Sequence, residues 1–410
     1  MCCFESGHRD IRAHRDELET ARNVVFSSPY NVAFAPHCAI SHRETPSGGK
    51  AIHGRAPPRF TRLDSVGKQE DSMKATPRRL SVAPMMDWTD RHCRSLHRSI
   101  SRHTWLYTEM VTTGALLHGD VARHLAFTPE EAPVALQLGG SEPEDLAKSA
   151  RLGENWGYDE INLNCGCPSE RVQRGAFGAC LMNEPALVAD CVKAMRDAVS
   201  IPVTVKHRIG VDAVEDYAFV RDFVGTVAEA GCEVFIVHAR NAILKGLSPK
   251  ENREIPPLKY DYAYRLKQDF PDLEILINGG ITTLDEVETH LQHVDGVMLG
   301  REAYHNPFVL AEVDARFYGA AGPAPTREEI EDRLIAYCID EVARGNYLGA
   351  IVRHALGLYR GVHGARGWRR VLSDSKRLAR GDVAAIFAEA RAHLSAPFET
   401  RFEPAPAENF

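Results

Sequence analysis

The chain has 410 residues, enough for one large domain and a smaller one, and a formal net charge of −7. This charge argues against a protein that binds nucleic acid over its whole surface, so any such contact would need a local basic face. No apolar run is long enough to span a bilayer, and the ten cysteines lack the dense spacing of a secreted scaffold, which predicts a cytoplasmic protein.

Residues 1–72 differ from the rest of the chain in being rich in His, Arg, Ser and Pro without helical or strand periodicity. We expect them to form a disordered N-terminal extension. They lack the apolar centre of a signal peptide, and acids such as Glu5 and Asp10 are unusual in a transit peptide. The interpretation we favour is an upstream extension with Met73 as the functional start; a regulatory tail is the alternative.

From residue 80 onward, short apolar runs alternate with stretches that are compatible with helices. This is the pattern of a parallel α/β protein. The eight predicted strands are Leu80–Met85, Trp105–Met110, Val134–Leu138, Glu160–Asn164, Val203–Lys206, Val234–His238, Glu274–Asn278 and Gly296–Leu299. Eight such units predict a (β/α)8 TIM barrel over residues 73–322, with its functional site at the carboxyl ends of the strands.

The pattern becomes purely helical after residue 323. Thr326 and Glu329 form a capping-box sequence, which predicts a helix start, and residues 323–396 are expected to form a C-terminal helical domain followed by a tail, 397–410. Between residues 351 and 380 this domain carries eight basic residues and one acid, Asp374. This stretch is the candidate for a local RNA-binding face.

A cysteine pair follows the fourth predicted strand in the segment Ile161–Ser169. Cys167 lies beside Gly and Pro on a loop, Pro168–Gly178, and is predicted to be the reactive thiol, whereas the cysteines at 93, 180, 191, 232 and 338 are expected to be buried and inert. With no second Cys pair at suitable spacing, a zinc site is not expected. A thiol with a reference pKa of about 8.5 is protonated at neutral pH and can serve as a general acid.

Two glycine motifs end the last two strands. Asn278-Gly279-Gly280 and Gly300-Arg301 predict a phosphate site, because barrels commonly bind phosphate there; one such motif alone is better explained as a turn. The guanidinium of Arg301 would add a charged contact to the phosphate.

Lys206 ends an apolar strand at the predicted barrel mouth and needs an anionic partner, such as the pyrimidine end of a reduced flavin. A lysine that extends to the rim is the competing interpretation. His238 and Gln137 suit hydrogen bonds to the same ring system, and Pro84-Met85-Met86 could cover its face, although core packing would explain the methionines equally well. No G-x-G-x-x-G follows a strand, so a nicotinamide donor would bind only transiently.

These motifs, together with Ala83–Asp90, Val172–Cys180 and Leu247–Pro257, resemble the tRNA-dihydrouridine synthases over residues 80–378. The last motif resembles the A-type enzymes, which act on positions 20 and 20a of the tRNA D-loop. The resemblance implies FMN as cofactor, NADPH as reductant, hydride transfer to carbon 6 of uracil and protonation of carbon 5 by Cys167. The long N-terminal segment and the second thiol, Cys165, depart from the family pattern.

The resemblance also implies two sets of binding residues. The FMN contacts carry over to Pro84, Met85, Met86, Gln137, Lys206, His238, Asn278, Gly279, Gly280, Gly300 and Arg301. The tRNA contacts carry over to Asn164, Lys250, Arg253, Arg366 and Arg369.

Two other functions fit parts of the pattern. A flavin barrel that reduces a free pyrimidine or a small enone would need the same site, and a non-catalytic RNA-binding protein would need only the basic face. The arginine-rich helical domain favours tRNA over a small molecule, and the combination of Cys167, Lys206 and two glycine motifs favours an enzyme. We expect a monomer that binds tRNA, without a membrane or protein partner.

Overall fold

The structure is a computed structural model that describes residues 76–214 and 216–394. The expectations for residues 1–72, for the start at Met73 and for the tail 397–410 lie outside these residues. None of the helices within the described part is long and apolar enough to cross a membrane.

The described chain is built around a parallel sheet of nine strands. The strands are β1 (Leu80–Val82), β2 (Leu106–Tyr107), β3 (Val111–Thr112), β4 (Val134–Gly139), β5 (Glu160–Cys165), β6 (Val203–Arg208), β7 (Val234–His238), β8 (Glu274–Asn278) and β9 (Gly296–Leu299). Their order is β1-β9-β8-β7-β6-β5-β4-β2, with β3 also paired to β4. A parallel bridge between Ser81 and Trp105 joins β1 to the start of β2. The sheet therefore closes, and the predicted barrel is confirmed.

Every predicted strand is present, but the first two are shorter than expected. After β1, the N–H of Met85 bonds to the Thr89 side chain and not to a neighbouring strand. After β2, the N–H of Gln137 bonds to Oγ1 of Thr108 where a backbone carbonyl would normally accept. A side-chain hydroxyl thus interrupts the ladder, and residues 111 and 112 rejoin the sheet separately as β3.

Helices follow the strands as the repeat requires. Those before residue 320 are α1 (Arg91–Ile100), α2 (Thr113–His118), α3 (Val121–Leu125), α4 (Pro143–Trp156), α5 (Glu170–Arg174), α6 (Pro185–Arg196), α7 (Tyr217–Glu229), α8 (Tyr260–Asp269), α9 (Leu284–His290), α10 (Arg301–His305) and α11 (Val313–Tyr318). Short 3-10 turns lie at Pro129–Glu131, Gly178–Asn183, Glu251–Arg253 and Pro307–Leu310.

The strands have two differently packed faces because successive side chains alternate. One set, including Ile161, Leu163 and Cys165 of β5, belongs to the large core beneath the helices. The opposite set faces the barrel interior, where Ile236, Leu276 and six other residues form a separate apolar cluster. On each strand, the side chains that face the barrel interior continue in a row to the strand end, where the polar residues of the candidate site lie.

The C-terminal part is helical, as predicted. It contains α12 (Arg327–Ala343), α13 (Leu348–Val352), a 3-10 turn (Arg353–Ala355), α14 (Ala365–Leu372), α15 (Ser375–Leu378) and α16 (Val383–Ala392). Thr326 and Glu329 form the reciprocal capping box that the sequence indicates. The helices enclose Trp368, which is fully buried and donates its indole N–H to the carbonyl of Ala355.

Candidate active site

A large cavity opens at the carboxyl ends of the barrel strands. Its volume is about 1580 Å³, above the roughly 300–1,000 Å³ of common ligand pockets. Strands on all sides of the barrel and the loops that follow them contribute to its wall. The cavity therefore has room for a cofactor and part of a second molecule together.

The structure places all the predicted catalytic and cofactor residues on this cavity. Those that line it are Pro84, Met85, Met86, Gln137, Cys167, Lys206, His238, Asn278, Gly279, Gly280, Gly300 and Arg301, together with the predicted RNA contacts Asn164 and Arg253. Lys250, Arg366 and Arg369 do not belong to the cavity wall, and all three are exposed. The roles of these residues stay predictions.

The side chain of Asn164 holds the loop that carries Cys167. Its Oδ1 accepts hydrogen bonds from the backbone N–H groups of Gly166 and Cys167, both at 3.0 Å. Sγ of Cys167 lies 3.5 Å from Oγ of Ser169, and the thiol is partly exposed on the cavity wall. This thiol is accordingly positioned for contact with a bound molecule.

Cys165 is excluded from the cavity by the alternation of β5. Its side chain is 0% exposed and packs in the core under the helices. Burial raises the pKa of its thiol well above the usual range. Of the two thiols in the motif, Cys167 is therefore the one that a ligand can reach.

Two local expectations about this region are wrong. The segment Pro168–Gly178 is not a continuous loop, because Glu170–Arg174 form α5. Cys180 is only partly buried, since it lies in the 3-10 turn behind the loop, where its thiol donates to the carbonyl of Phe177.

Lys206 projects from β6 across the barrel mouth. Its Nζ donates to Oδ1 of Asn278 at 3.0 Å, and within the described residues it has no ion pair with a carboxylate. Burial, followed by the nearby Arg208, lowers the pKa of Lys206 to about 7. An ammonium in this position would gain from a bound anion.

Arg208, which is more deeply buried than Lys206, adds a second cation next to the Cys167 loop. It is 3% exposed, and its guanidinium donates to the carbonyls of Gly166 and Asn252 at 3.2 and 2.9 Å. Burial lowers its pKa to about 10. Sequence reasoning missed this residue, although it lies two positions after Lys206 and therefore on the same face of β6.

The Gly279-Gly280 turn has the backbone shape of an anion site. Both residues have positive φ, 120° and 76°, which glycine adopts without strain. A Cβ at Gly279 would lie only 2.8 Å from Cδ2 of His238. Burial, followed by Arg208 and Lys206, holds the pKa of His238 well below its usual range, so its ring is neutral at neutral pH.

The guanidinium groups beside this turn are unevenly paired. Nη1 of Arg301 lies 2.5 Å from Oε1 of Glu254, so the predicted phosphate ligand shares its charge with a carboxylate. The buried Nε of Arg253 has no hydrogen-bond partner among the described residues. The site thus contains more positive charge than its own carboxylates neutralise.

The cavity also reaches a part of the barrel that sequence reasoning did not single out. Trp88 lines it and stacks on Tyr304, with ring centroids 4.4 Å apart. Asp90, on the same wall, binds Arg353 of the helical part at 2.7 Å. The sequence indicates the motif Asp87-Trp88-Thr89-Asp90 only through the family resemblance, because nothing in its composition points to these distant partners.

The predicted basic face is partly neutralised in the structure. Arg353, Arg360 and Arg377 each bind at least one carboxylate. Arg366 and Arg369 lie on the exposed side of α14 and have no ion pair within the described residues. The part of the stretch that remains open to an anion therefore includes the two predicted arginines.

Comparison with known proteins gives consistent matches. The family model described as "Dihydrouridine synthase (Dus)" matches residues 81–393. The chain is 61% identical over 328 residues to a tRNA-dihydrouridine(20/20a) synthase of Pseudomonas putida, covering 80% of this chain and 97% of that protein. It is 62% identical over 299 residues to the enzyme of that name from Pseudomonas aeruginosa, covering 73% and 90%. For the Escherichia coli K12 enzyme of that name the identity is 59% over 306 residues, covering 74% and 88%.

Proposed function

The chain belongs to the dihydrouridine synthase family, and from that premise we propose that it reduces uridine to 5,6-dihydrouridine in the D-loop of tRNA, at positions 20 and 20a. Members of this family are flavin-dependent oxidoreductases. We propose FMN as the flavin and NADPH as its reductant. The enzyme would work in the cytoplasm, as a monomer.

One observation carries this proposal. A reachable thiol, Cys167, shares one cavity with a glycine turn and with cations that lack enough carboxylate partners. The thiol suits proton transfer and the cationic turn suits a phosphate. A protein that only binds RNA has no need for both features in the same cavity.

The residues present fit an FMN. Gly279 and Gly280 both have positive φ, and a Cβ at the nearby Gly300 would meet no heavy atom within 4 Å. These glycines suit the close approach of a phosphate to the backbone. Lys206 and Gln137 would hold the ring system, with Lys206 as the charge opposite its pyrimidine end. When bound, FMN supplies the hydride that carbon 6 of uracil receives.

The residues of this chain supply the proton and the orientation of the base. Cys167 would protonate carbon 5 from the partly exposed Sγ, while Asn164 holds its main chain in place. The target base has to leave the stack in order to enter a cavity of this depth. We propose that Asn164 and Arg253 contact it there, whereas Lys250, Arg366 and Arg369 bind the tRNA backbone outside the cavity.

The competing function is reduction of a free pyrimidine. To separate the two, the FMN-loaded protein is reduced without oxygen and mixed with unmodified tRNA, free uridine or uracil. Rapid flavin reoxidation by tRNA alone is the result we expect. Equal reoxidation by free uridine would favour the small-molecule function, and no reoxidation by any of the three would contradict both.

A further inference from the structure

A chain of buried hydrogen bonds starts at Glu160, the first residue of β5, on the side of the barrel opposite to the cavity. Oγ1 of Thr204 donates to Oε1 of Glu160 at 2.6 Å, and Nδ2 of Asn162 donates to Oγ1 of Thr204 at 2.8 Å. Nε2 of Gln137 then donates to Oδ1 of Asn162 at 2.7 Å. Glu160, Thr204 and Asn162 are all 0% exposed.

The same series of hydrogen bonds continues to the loop that carries the reactive thiol. Nδ2 of Asn164 donates to Oε1 of Gln137 at 2.9 Å. Oδ1 of Asn164 accepts the backbone N–H groups of Gly166 and Cys167. The hydrogen bonds therefore run without a break from Glu160 to Cys167.

The two ends of this hydrogen-bond chain require the same donor-to-acceptor direction. A carboxylate has no hydrogen to donate, so the one hydrogen of Thr204 must point at Glu160, and Thr204 can then only accept from Asn162. At the other end, the backbone N–H groups of Gly166 and Cys167 can only donate. Each amide between these ends has one orientation that satisfies both neighbours, and such head-to-tail bonds strengthen one another.

Two further donors bind the carboxylate of Glu160. Nε of Arg78 lies 2.7 Å from its Oε2, and the hydroxyl of Tyr107 donates to its Oε1 at 2.8 Å. Burial, followed by the charge of Glu160, raises the pKa of Tyr107 well above its usual range, so this phenol keeps its proton. Arg78 also binds Glu274, which among the described residues has no hydrogen bond to Thr204, Asn162 or Gln137.

We propose that Glu160 is a positioning residue for the reaction: acting through Thr204, Asn162 and Gln137, it reinforces the orientation of the Asn164 amide and thereby holds Cys167 in position. The role of Cys167 in this inference rests on the proposed function. One consequence concerns the cavity: with its Oδ1 occupied by two N–H groups, Asn164 has only its second Nδ2 hydrogen left to offer a ligand.

The first test breaks the chain without changing any charge. Thr204→Val keeps the shape of the side chain but removes the hydroxyl, whereas Thr204→Ser keeps the hydroxyl. In single turnovers of reduced, FMN-saturated protein with tRNA, the valine variant should form dihydrouridine roughly 10- to 100-fold more slowly, the range for a misplaced reactive group. The serine variant should stay close to wild type.

A second measurement does not depend on the flavin. Iodoacetamide alkylation of Cys167 in FMN-free protein, followed by peptide mass spectrometry, reports how firmly the loop is held. Alkylation should be faster in Thr204→Val, because the amides of Asn162 and Gln137 are then fixed from one end only and hold Asn164 less firmly. In Thr204→Ser the rate should match wild type.

The second pair of variants separates the effect of hydrogen-bond direction from the effect of losing a carboxylate charge beside Arg78. Glu160→Gln can donate to Thr204 and so permits the reversed chain, in which an N–H of Asn164 would face the N–H groups of Gly166 and Cys167. Glu274→Gln removes the other carboxylate that binds Arg78 but leaves the chain intact. Glu160→Gln should behave like Thr204→Val, and Glu274→Gln like wild type; if Glu160→Gln does not fold, the Thr204 pair decides.

Three results would overturn the inference. These are wild-type rates in both assays for folded Thr204→Val, equal effects of the valine and serine changes, and an effect of Glu274→Gln as large as that of Glu160→Gln. If wild-type protein forms no dihydrouridine, the proposed function fails instead. In that case the alkylation rates would still test whether the hydrogen-bond chain holds the Cys167 loop.

Discussion

Nζ of Lys206 and Oδ1 of Asn278 lie 3.0 Å apart and join β6 to β8 across the mouth of the barrel, over the strand between them. The contact satisfies one N–H of the ammonium but supplies no negative charge. Because burial lowers the pKa of Lys206 to about 7, the residue is close to losing its proton in the ligand-free protein. A bound flavin with a negatively polarised edge would favour the charged form.

This gives a prediction for the pH dependence of flavin binding. If FMN favours the ammonium, binding takes up a proton above pH 7, so the affinity should fall as the pH rises from 7 to 9, by at most about tenfold per pH unit. Lys206→Met should bind FMN more weakly, and its affinity should be flat over this range. Fluorescence titrations at several pH values provide the measurement. If FMN affinity falls with pH as steeply in the variant as in wild type, Lys206 does not cause the pH dependence and its role is structural.

Cys167→Ala should abolish product formation while sparing the flavin. NADPH should still reduce the bound FMN, but dihydrouridine formation should fall by roughly 10²- to 10⁴-fold, the usual contribution of a positioned general acid. The matched control is Cys165→Ala, since that thiol is buried away from the cavity. Single-turnover assays with tRNA compare the two, and a larger loss from Cys165→Ala would show that the acid is assigned to the wrong thiol.

The fold could be predicted from the sequence because the features that mark its strands are local. Apolar runs bounded by Gly and Pro mark the strands, and a barrel brings their ends together. Cys165 shows what local reasoning overlooked: it follows Asn164 directly, so the alternation of a strand places its side chain on the opposite face. Counting positions along β5 is therefore enough to predict that Cys165 faces away from the cavity that Asn164 lines.

The buried hydrogen-bond chain could not be predicted in this way. Glu160, Asn162 and Asn164 alternate with apolar residues, a pattern that in an open sheet indicates a solvent-exposed face. Only closure of the barrel turns that face inward. The partners of these residues on β4 and β6 follow from strand register, which one sequence does not reveal.

Asp90 should contribute to stability through its contacts with the helical part. Its carboxylate caps α1 and binds Arg353 and His354. Asp90→Asn keeps the capping oxygen but loses the charge, and should lower the free energy of unfolding by about 1–3 kcal/mol at pH 7. Asp382→Asn, at the N-cap of α16 with no ion pair among the described residues, is the control.

The effect of Asp90 should depend on pH in a defined direction. His354 and Arg353 hold the pKa of Asp90 well below its usual range despite its burial, so the folded state binds this proton more weakly than the unfolded state does. The stabilisation is therefore present above about pH 4, the ordinary Asp value, and is lost as the pH falls further. Denaturation curves of wild type and Asp90→Asn should converge in acid; a constant difference would contradict the assignment.

Arg366 and Arg369 should anchor tRNA through its backbone. Replacing both with alanine should raise the tRNA dissociation constant and reduce the slope of log affinity against log salt by roughly one unit per lost phosphate contact. FMN binding and NADPH oxidation should be unaffected, since neither residue lines the cavity. Arg221→Ala removes an exposed arginine that binds Asp222, and serves as the control; unchanged affinity and salt slope in the double variant would exclude these arginines as the anchor.

The most direct test of the central claim is nucleoside mass spectrometry of unmodified tRNA after incubation with the purified protein, FMN and NADPH. We predict dihydrouridine in the D-loop, at positions 20 and 20a, with wild-type protein and almost none with Cys167→Ala. Absence of dihydrouridine with wild-type protein whose bound flavin is reduced by NADPH would contradict the account.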